Sequence, residues 1–269
     1  MIIEQYSSQI NVPQHHLMIT YNSKGLVHGK LRIYTDVRSF VSCDSNPDQG
    51  MLIPSIVYEG EGAVCIRNPK RTDGVPDGQH TVLIVEKATV FQRLIAAKLV
   101  EQSQNTLTIV TGGGYPDLPT RRFVALCHEA KFRILGIADC DPFGIEILSI
   151  YKWGSFNHIR EQHMLAAPSL QWVGLMPQDL GESDASLTRG AQKNPLMPID
   201  KRKIESVISR LENIEGSEAE EWLAQAQLMR ELDCKCELEI LHVQQPIHPL
   251  INFMNFCVCD DFCVIRCLC

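Results

Sequence analysis

Apolar residues in this chain come in short solid runs that alternate with longer stretches of helical spacing, most clearly between residues 81 and 152. Thr81-Val82-Leu83-Ile84-Val85 is a β-branched and apolar run that stops on Glu86-Lys87, as expected of a strand covered on both faces. Val90, Phe91, Leu94, Ile95 and Leu99 follow at helical spacing and predict a helix from Ala88 to Val100. Residues 105–110 read as a second strand. Arg121 and Arg122 open a helix through Ala130, and residues 134–138 read as a third strand. After Pro142-Phe143-Gly144 the helical spacing resumes. This strand–helix rhythm predicts an α/β fold, a parallel sheet flanked by helices.

The flanks are less regular. Residues 1–12 resemble the end of a helix, interrupted by Pro13. Leu17–Tyr21 and Leu26–Ile33, joined at Ser23-Lys24-Gly25, predict a β-hairpin. Residues 34–80 are rich in Asp, Asn, Ser, Pro and Gly and predict loops and edge strands, with one strand candidate at 51–57 and a small basic group at Arg67, Lys70 and Arg71. Trp172–Leu175 is a short strand. Asp200–Leu211 and Ser217–Leu232 are amphipathic helices. Lys201, Arg202 and Lys203 lie in the first turn of the former, where cations oppose the helix dipole, so they read as a solvated face or a partner contact.

With 45% hydrophobic and 21% charged residues, the composition is that of an ordinary globular protein. A net charge of −7 argues against bulk electrostatic binding of nucleic acid, but phosphate binding depends on local clusters. The opening residues lack the pattern of a signal peptide, and no apolar run approaches the roughly 18 residues of a membrane span. The expectation is an intracellular protein with no membrane partner. Of the 11 cysteines, Cys257, Cys259, Cys263, Cys267 and Cys269 crowd the end, with Cys234 and Cys236 upstream. Their Cys-x-Cys spacing does not match the Cys-x-x-Cys pairs typical of zinc sites, and residues 255–269 are expected to be a disordered tail.

The chemistry concentrates at strand ends. Asp139 and Asp141 are two apart, and in extended backbone such residues point to one face. Two carboxylates so placed repel unless a cation or proton lies between them. The carboxyl ends of strands are also where open α/β sheets place their ligands. Glu86 holds the equivalent position after the first strand. Three acids of this kind suit magnesium, which takes oxygen ligands and typically acts on phosphates. Gly112-Gly113-Gly114 follows the second strand and would let the backbone approach an anion, although no nucleotide-binding fingerprint is present. Two other readings compete: an acid pair that merely caps a helix, and the Asp-x-Asp of a nucleotide-sugar glycosyltransferase.

Several motifs occur together and in order: Val85-Glu86-Lys87, Phe91-Gln92-Arg93-Leu94, Thr111-Gly112 to Tyr115-Pro116-Asp117, Thr120-Arg121, and Asp139-Cys140-Asp141-Pro142-Phe143-Gly144-Ile145-Glu146-Ile147. The set resembles the Toprim region of the topoisomerase VI family, meaning its A subunit together with the meiotic relative that makes recombination-initiating double-strand breaks. Ser23-Lys24-Gly25-Leu26-Val27, Tyr151-Lys152-x-Gly154-Ser155 and Trp172–Leu175 extend the likeness over residues 10–250. Details such as Ile150-Tyr151-Lys152-Trp153-Gly154-Ser155 place it nearer the eukaryotic meiotic branch.

The resemblance implies a Toprim, Rossmann-like sheet with an N-terminal β-hairpin and C-terminal helices. It implies residues 13–254 as the Toprim-containing domain, 1–12 as a remnant helix following a winged-helix domain that is missing here, and 255–269 as a Cys-rich segment without family counterpart. It further implies Mg2+ at Glu86, Asp139 and Asp141, and double-stranded DNA contacted by Lys24, Lys87 and Arg121. The implied partners are a second protomer, identical or full-length, and a topoisomerase VI B-like subunit, in the nucleus. In the family a tyrosine attacks a DNA phosphodiester and leaves a 5′-phosphotyrosyl link. Its motif lies ahead of the Ser-Lys-Gly hairpin, and Tyr6 has neither its context nor its spacing. The chain is therefore expected to be inactive alone, or else to serve as a non-catalytic DNA-binding and dimerisation module or a metal-dependent Toprim nuclease. The family's Gly-Lys-Gly is Gly112-Gly113-Gly114 here, so that lysine is absent.

Overall fold

The computed structural model describes residues 22–55, 64–66, 80–103, 106–155, 162–181 and 193–238. The expected helix at 1–12, the strand at 17–21, the basic group at 67–71 and the tail from 255 lie outside them. The chain divides into two compact units. One is drawn from Met1–Val100, Gln104–Gly136 and Ile147–Trp172, the other from Glu101–Ser103, Ile137–Glu146 and Val173–Cys269.

In the first unit the early strands are β1 (Leu26–Gly29), β2 (Leu31–Tyr34), β3 (Phe40–Ser42), β4 (Met51–Leu52) and β5 (Val64–Ile66). The core strands are β6 (Thr81–Val85), β7 (Leu107–Thr111) and β8 (Arg133–Ile137), followed later by β9 (Gln171–Gly174). The central sheet has the order β4-β1-β7-β6-β8-β9. Every residue of β6 and β7 is buried, which explains why both read as uninterrupted runs: helices cover both faces. The two strands pair in parallel, with Thr81 opposite Leu107 and Ile84 opposite Val110. β1 lies antiparallel to β7 and to β4, so an antiparallel margin continues the parallel centre. This is a mixed α/β fold with a mostly parallel sheet flanked by helices, as the strand–helix rhythm predicts.

Three local expectations are corrected. Residues 26–33 are not one hairpin strand: the chain breaks at Lys30, and β2 joins a separate sheet of order β3-β2-β5. The burial patterns explain the break. Val27, His28 and Gly29 of β1 are buried in succession, whereas β2 alternates, with Leu31 and Ile33 fully buried and Arg32 and Tyr34 partly exposed. The helix expected over 88–100 is two, α1 (Ala88–Ala96) and α2 (Leu99–Gln102), separated at Lys98, whose φ of 56° is left-handed. The next helix, α3 (Leu118–Glu129), starts before Arg121 because Asp117 caps it, with Oδ1 accepting from the Thr120 amide at 2.8 Å and Pro119 in the first turn.

Asp117 does more than cap. Its Oδ2 accepts from the Lys24 amide at 2.6 Å, tying the 22–25 segment to the start of α3. Gly25 presses on the same turn, and a Cβ there would lie 1.8 Å from Thr120 Oγ1. The other end of β6 is fixed by His80, 2% exposed, whose Nε2 lies 2.9 Å from Thr108 Oγ1 and whose ring is 5.3 Å from that of Phe132. α4 (Pro142–Trp153) contributes Lys152 to this unit. Though 1% exposed, Lys152 is satisfied, donating from Nζ to the carbonyls of Pro168 at 2.6 Å and Leu170 at 2.8 Å. The short helix α5 (Gln162–Leu165) precedes β9 and, through the Met164 carbonyl, accepts from Arg122 at 3.1 Å.

In the second unit α6 (Pro177–Gly181), α7 (Pro198–Glu212) and α8 (Ser217–Leu232) pack together, the last two close to the bounds expected from spacing. Gln178 and Gln225 join α6 to α8, Nε2 of Gln225 donating to Oε1 of Gln178 at 2.8 Å. A two-strand ribbon, β10 (Asn194–Pro195) with β11 (Cys234–Lys235), closes over the start of α7. There Asp200, 1% exposed, accepts from the Met197 amide at 2.8 Å and from Lys235 Nζ at 2.7 Å through one oxygen. Two of the three first-turn cations on α7 have partners within the chain: Lys201 pairs with Asp233 at 2.8 Å, and Lys203 pairs with Glu146 beside the Phe143 ring. Among the described residues no helix is long and apolar enough to cross a membrane.

Burial lowers the pKa of His80 to about 4, below the ordinary 6.5, so the folded state favours the neutral ring. Its contribution to stability is complete above about pH 6.5 and is lost as pH falls towards 4, because the unfolded chain takes up the proton first. Between pH 7.5 and 4.5 this amounts to about 2 to 3 kcal/mol, and urea melts of wild type and His80→Gln should differ in pH dependence by that amount. Gly25→Ala should lower stability by roughly 1 to 3 kcal/mol at pH 7.5, since the added methyl must displace Thr120 in a packed site.

Candidate functional site

The acid pair belongs to the second unit. Past the end of β8, Ala138 donates its amide to the Gly174 carbonyl at 3.0 Å and accepts from Leu175 at 3.1 Å. Cys140 then meets Cys236 in an isolated antiparallel bridge, each amide donating to the other's carbonyl at 2.9 and 3.0 Å. The segment that follows α8 is thus laid directly on the Asp139–Asp141 loop. Asp139, 6% exposed, accepts through Oδ1 from the Leu238 amide at 2.7 Å. Asp141 accepts through Oδ1 from the Gly144 amide at 2.7 Å, in the first turn of α4. The capping reading therefore holds for Asp141 and not for Asp139, which is held instead by the Leu238 amide, three residues past β11.

Helix capping does not make this pair comfortable. Burial raises the pKa of Asp141 to about 6, the Asp139 charge adds to the rise, and the Gly144 amide pulls the other way. Lys235 lowers it and Asp200 raises it slightly further. A cation beside the two carboxylates would relieve this repulsion. The donor set also fits a hard cation: oxygen ligands on a fixed loop, each carboxylate with one oxygen already oriented by a backbone amide. Among the described residues no cluster of three or more His, Cys, Asp or Glu side chains could hold a metal ion. Magnesium commonly binds through one or two carboxylates and keeps several waters, so a pair suffices for it.

The other expected site residues lie in the first unit. Glu86, 9% exposed, follows β6, and its carbonyl accepts from Thr111 Oγ1 at 3.2 Å and the Gly114 amide at 3.0 Å. The Gly113 amide donates to Thr111 Oγ1 at 3.1 Å. With both amides engaged internally, the turn does not offer the anion cradle that its glycines suggested. Its glycines serve the backbone instead: φ is 59° at Gly113 and 86° at Gly114, and a Cβ at either would meet nothing within 4 Å.

Lys24, exposed, crosses this turn and donates from Nζ to the Gly113 carbonyl at 3.4 Å. Lys87 is half-buried at the N-cap of α1. Arg121 is 2% exposed, packed inside the unit rather than displayed. It neighbours Tyr151, 1% exposed, whose hydroxyl pKa is pushed far up by burial and the Asp117 charge, with Arg121 opposing. Asp117, Asp200 and Lys235 were missed in the sequence. Asp117 left a signal, an Asp two residues ahead of Pro119. The Asp200–Lys235 pair is 35 residues apart and left none.

Residues 81–252 match the family model for the Toprim domain of the topoisomerase 6 A subunit/Spo11. Meiotic recombination protein SPO11-1 of Oryza sativa subsp. indica is 33% identical over 232 residues, 85% of this chain and 55% of that protein. Meiotic recombination protein SPO11 of Homo sapiens is 32% identical over 216 residues, 78% of this chain and 49% of its own length. The A subunit of DNA topoisomerase 6 from Arabidopsis thaliana is 25% identical over 241 residues, 89% of this chain and 52% of that one. The chain spans about half the length of these relatives. The ordered strand–helix units, the acid loop after β8 and these matches together make the chain a member of the family of Spo11 and the topoisomerase 6 A subunit, on the side of the eukaryotic meiotic proteins.

Proposed function

We propose that this chain forms the magnesium-binding part of a topoisomerase-like DNA transesterase that makes double-strand breaks at meiosis and so initiates recombination. The observation that carries this reading is the Asp139–Asp141 loop, where two acids are held at close quarters by the amides of Leu238 and Gly144. Asp139 and Asp141 hold the cation, and Glu86 is retained as a third acid on the strength of its motif. When bound, magnesium supplies positive charge against a DNA phosphate. Lys24 and Lys87 contact the phosphate backbone of duplex DNA, and Arg121, buried beside Tyr151, acts from inside rather than touching DNA.

The attacking tyrosine comes from outside these residues, so the chain alone cleaves nothing. The working form is a dimer, of two copies or with a full-length protomer, joined by a topoisomerase VI B-like subunit on chromosomes in the nucleus.

Manganese, paramagnetic and similar in its oxygen preference, reports the site through water-proton relaxation. Asp139→Asn and Asp141→Asn should each weaken its binding roughly tenfold or more. In gel shifts on duplex DNA, wild type should bind more tightly with magnesium present, and Lys24→Ala should reduce the salt slope by about one. Binding indifferent to magnesium and to Asp139→Asn would point to a non-catalytic DNA-binding module. Multiple-turnover cleavage leaving free 5′-phosphates would point to a nuclease, and a covalent 5′ adduct on this polypeptide would refute the external tyrosine.

A further inference from the structure

The bridge between Cys140 and Cys236 places two thiols in register in a way the acid loop does not require. Their amides and carbonyls bond reciprocally, which makes them a directly opposed, hydrogen-bonded antiparallel pair. Such pairs hold their Cα atoms about 5.5 Å apart with both side chains on one face, within the roughly 4.4 to 6.8 Å that a disulfide spans. Both cysteines are free and buried, Cys140 fully and Cys236 to 1% exposure. Cys234, two residues before Cys236, is half-buried and has no such partner opposite it in the bridge.

We propose that Cys140 and Cys236 form a dithiol site that hydrogen peroxide converts to a disulfide across the acid loop. One sulfur attacks a peroxide oxygen, the O–O bond breaks, and the departing hydroxide takes the thiol proton to give water and a sulfenic acid. The second sulfur then displaces the sulfenic oxygen, which leaves as a second water with the second thiol proton. Two thiols are oxidised, one peroxide is reduced, and an S–S bond forms. Because both thiols are buried away from solvent, the reaction is slow, and thiol reductants reverse it.

Closure would make the docking of the 234–238 segment on the loop covalent until the bond is reduced. Leu238, whose amide orients Asp139, lies two residues beyond the new bond, and Cys140 lies between the two acids. The bond is a modification of the loop whether or not the loop holds magnesium, so this inference does not rest on the metal reading.

The test is prolonged treatment of the full 269-residue chain with hydrogen peroxide, then alkylation under denaturing, non-reducing conditions and peptide mass mapping. Cleavage at Lys235 and at Glu237 separates Cys236 from Cys234 and from the cysteines beyond residue 255. The expected product is one cross-linked peptide pair joining Cys140 to Cys236, lighter by two hydrogens and reversed by dithiothreitol. Cys140→Ser and Cys236→Ser should each abolish it, and each should keep the wild-type circular dichroism and urea midpoint within error, which shows that the fold survives. Full alkylation of both thiols after oxidation, or a cross-link from Cys140 to any other cysteine, would overturn the assignment. Failure of manganese binding with the cross-link intact would instead count against the metal reading.

Discussion

Two carboxylates one residue apart at the end of a buried strand repel each other, and much of the second unit can be understood as a response to that repulsion. Asp139 sits on the amide of Leu238, 99 residues downstream, and Asp141 sits on an amide of the helix it begins. Lys235 lies close enough to temper Asp141, and Asp200, which would aggravate it, is neutralised by that same lysine. A buried acid with a lysine and an amide on one oxygen is stable only as a set, so removing Lys235 would leave Asp200 buried without its counter-ion. The loop's geometry therefore depends on a segment that contributes neither acid of the pair.

How far the sequence could be read depended on how local the cause was. Thr81–Val85 and Leu107–Thr111 were legible because full burial leaves no polar alternation to confuse the pattern. The start of α3 at Leu118 was legible in principle, from an Asp cap and a Pro in the first turn, yet the arginine pair that follows drew the boundary too late. The break at Lys98 left nothing to read, since a lysine in left-handed backbone has no compositional mark. The split at Lys30 was hidden because the two halves run on as one stretch with only that residue between them, and the strand that the first half pairs with, β7, lies far away in sequence.

The candidate site shows the same division. The acids were visible as a two-residue spacing at a strand end, and so was the coincidence of motifs around them. What orients the acids was not visible, because the amide of Leu238 and the ammonium of Lys235 reach them through tertiary folding. The glycine turn shows the converse. Three glycines signalled unusual backbone, and unusual backbone is there, but the amides of Gly113 and Gly114 are spent on Thr111 and Glu86. Composition can mark a conformation without revealing which donors it leaves available.

The two-handed carboxylate of Asp117 has a consequence for local opening. One oxygen holds the Thr120 amide three residues ahead and the other holds the Lys24 amide 93 residues behind. Fraying of the first turn of α3 and release of the 22–25 segment are therefore the same event seen from two places, and their amide protons belong to one exchange unit. Over the glycine turn Lys24 has one long bond of its own, to the Gly113 carbonyl, and its backbone is tied down by Asp117. It keeps its place there for as long as a helix start elsewhere in the chain remains wound.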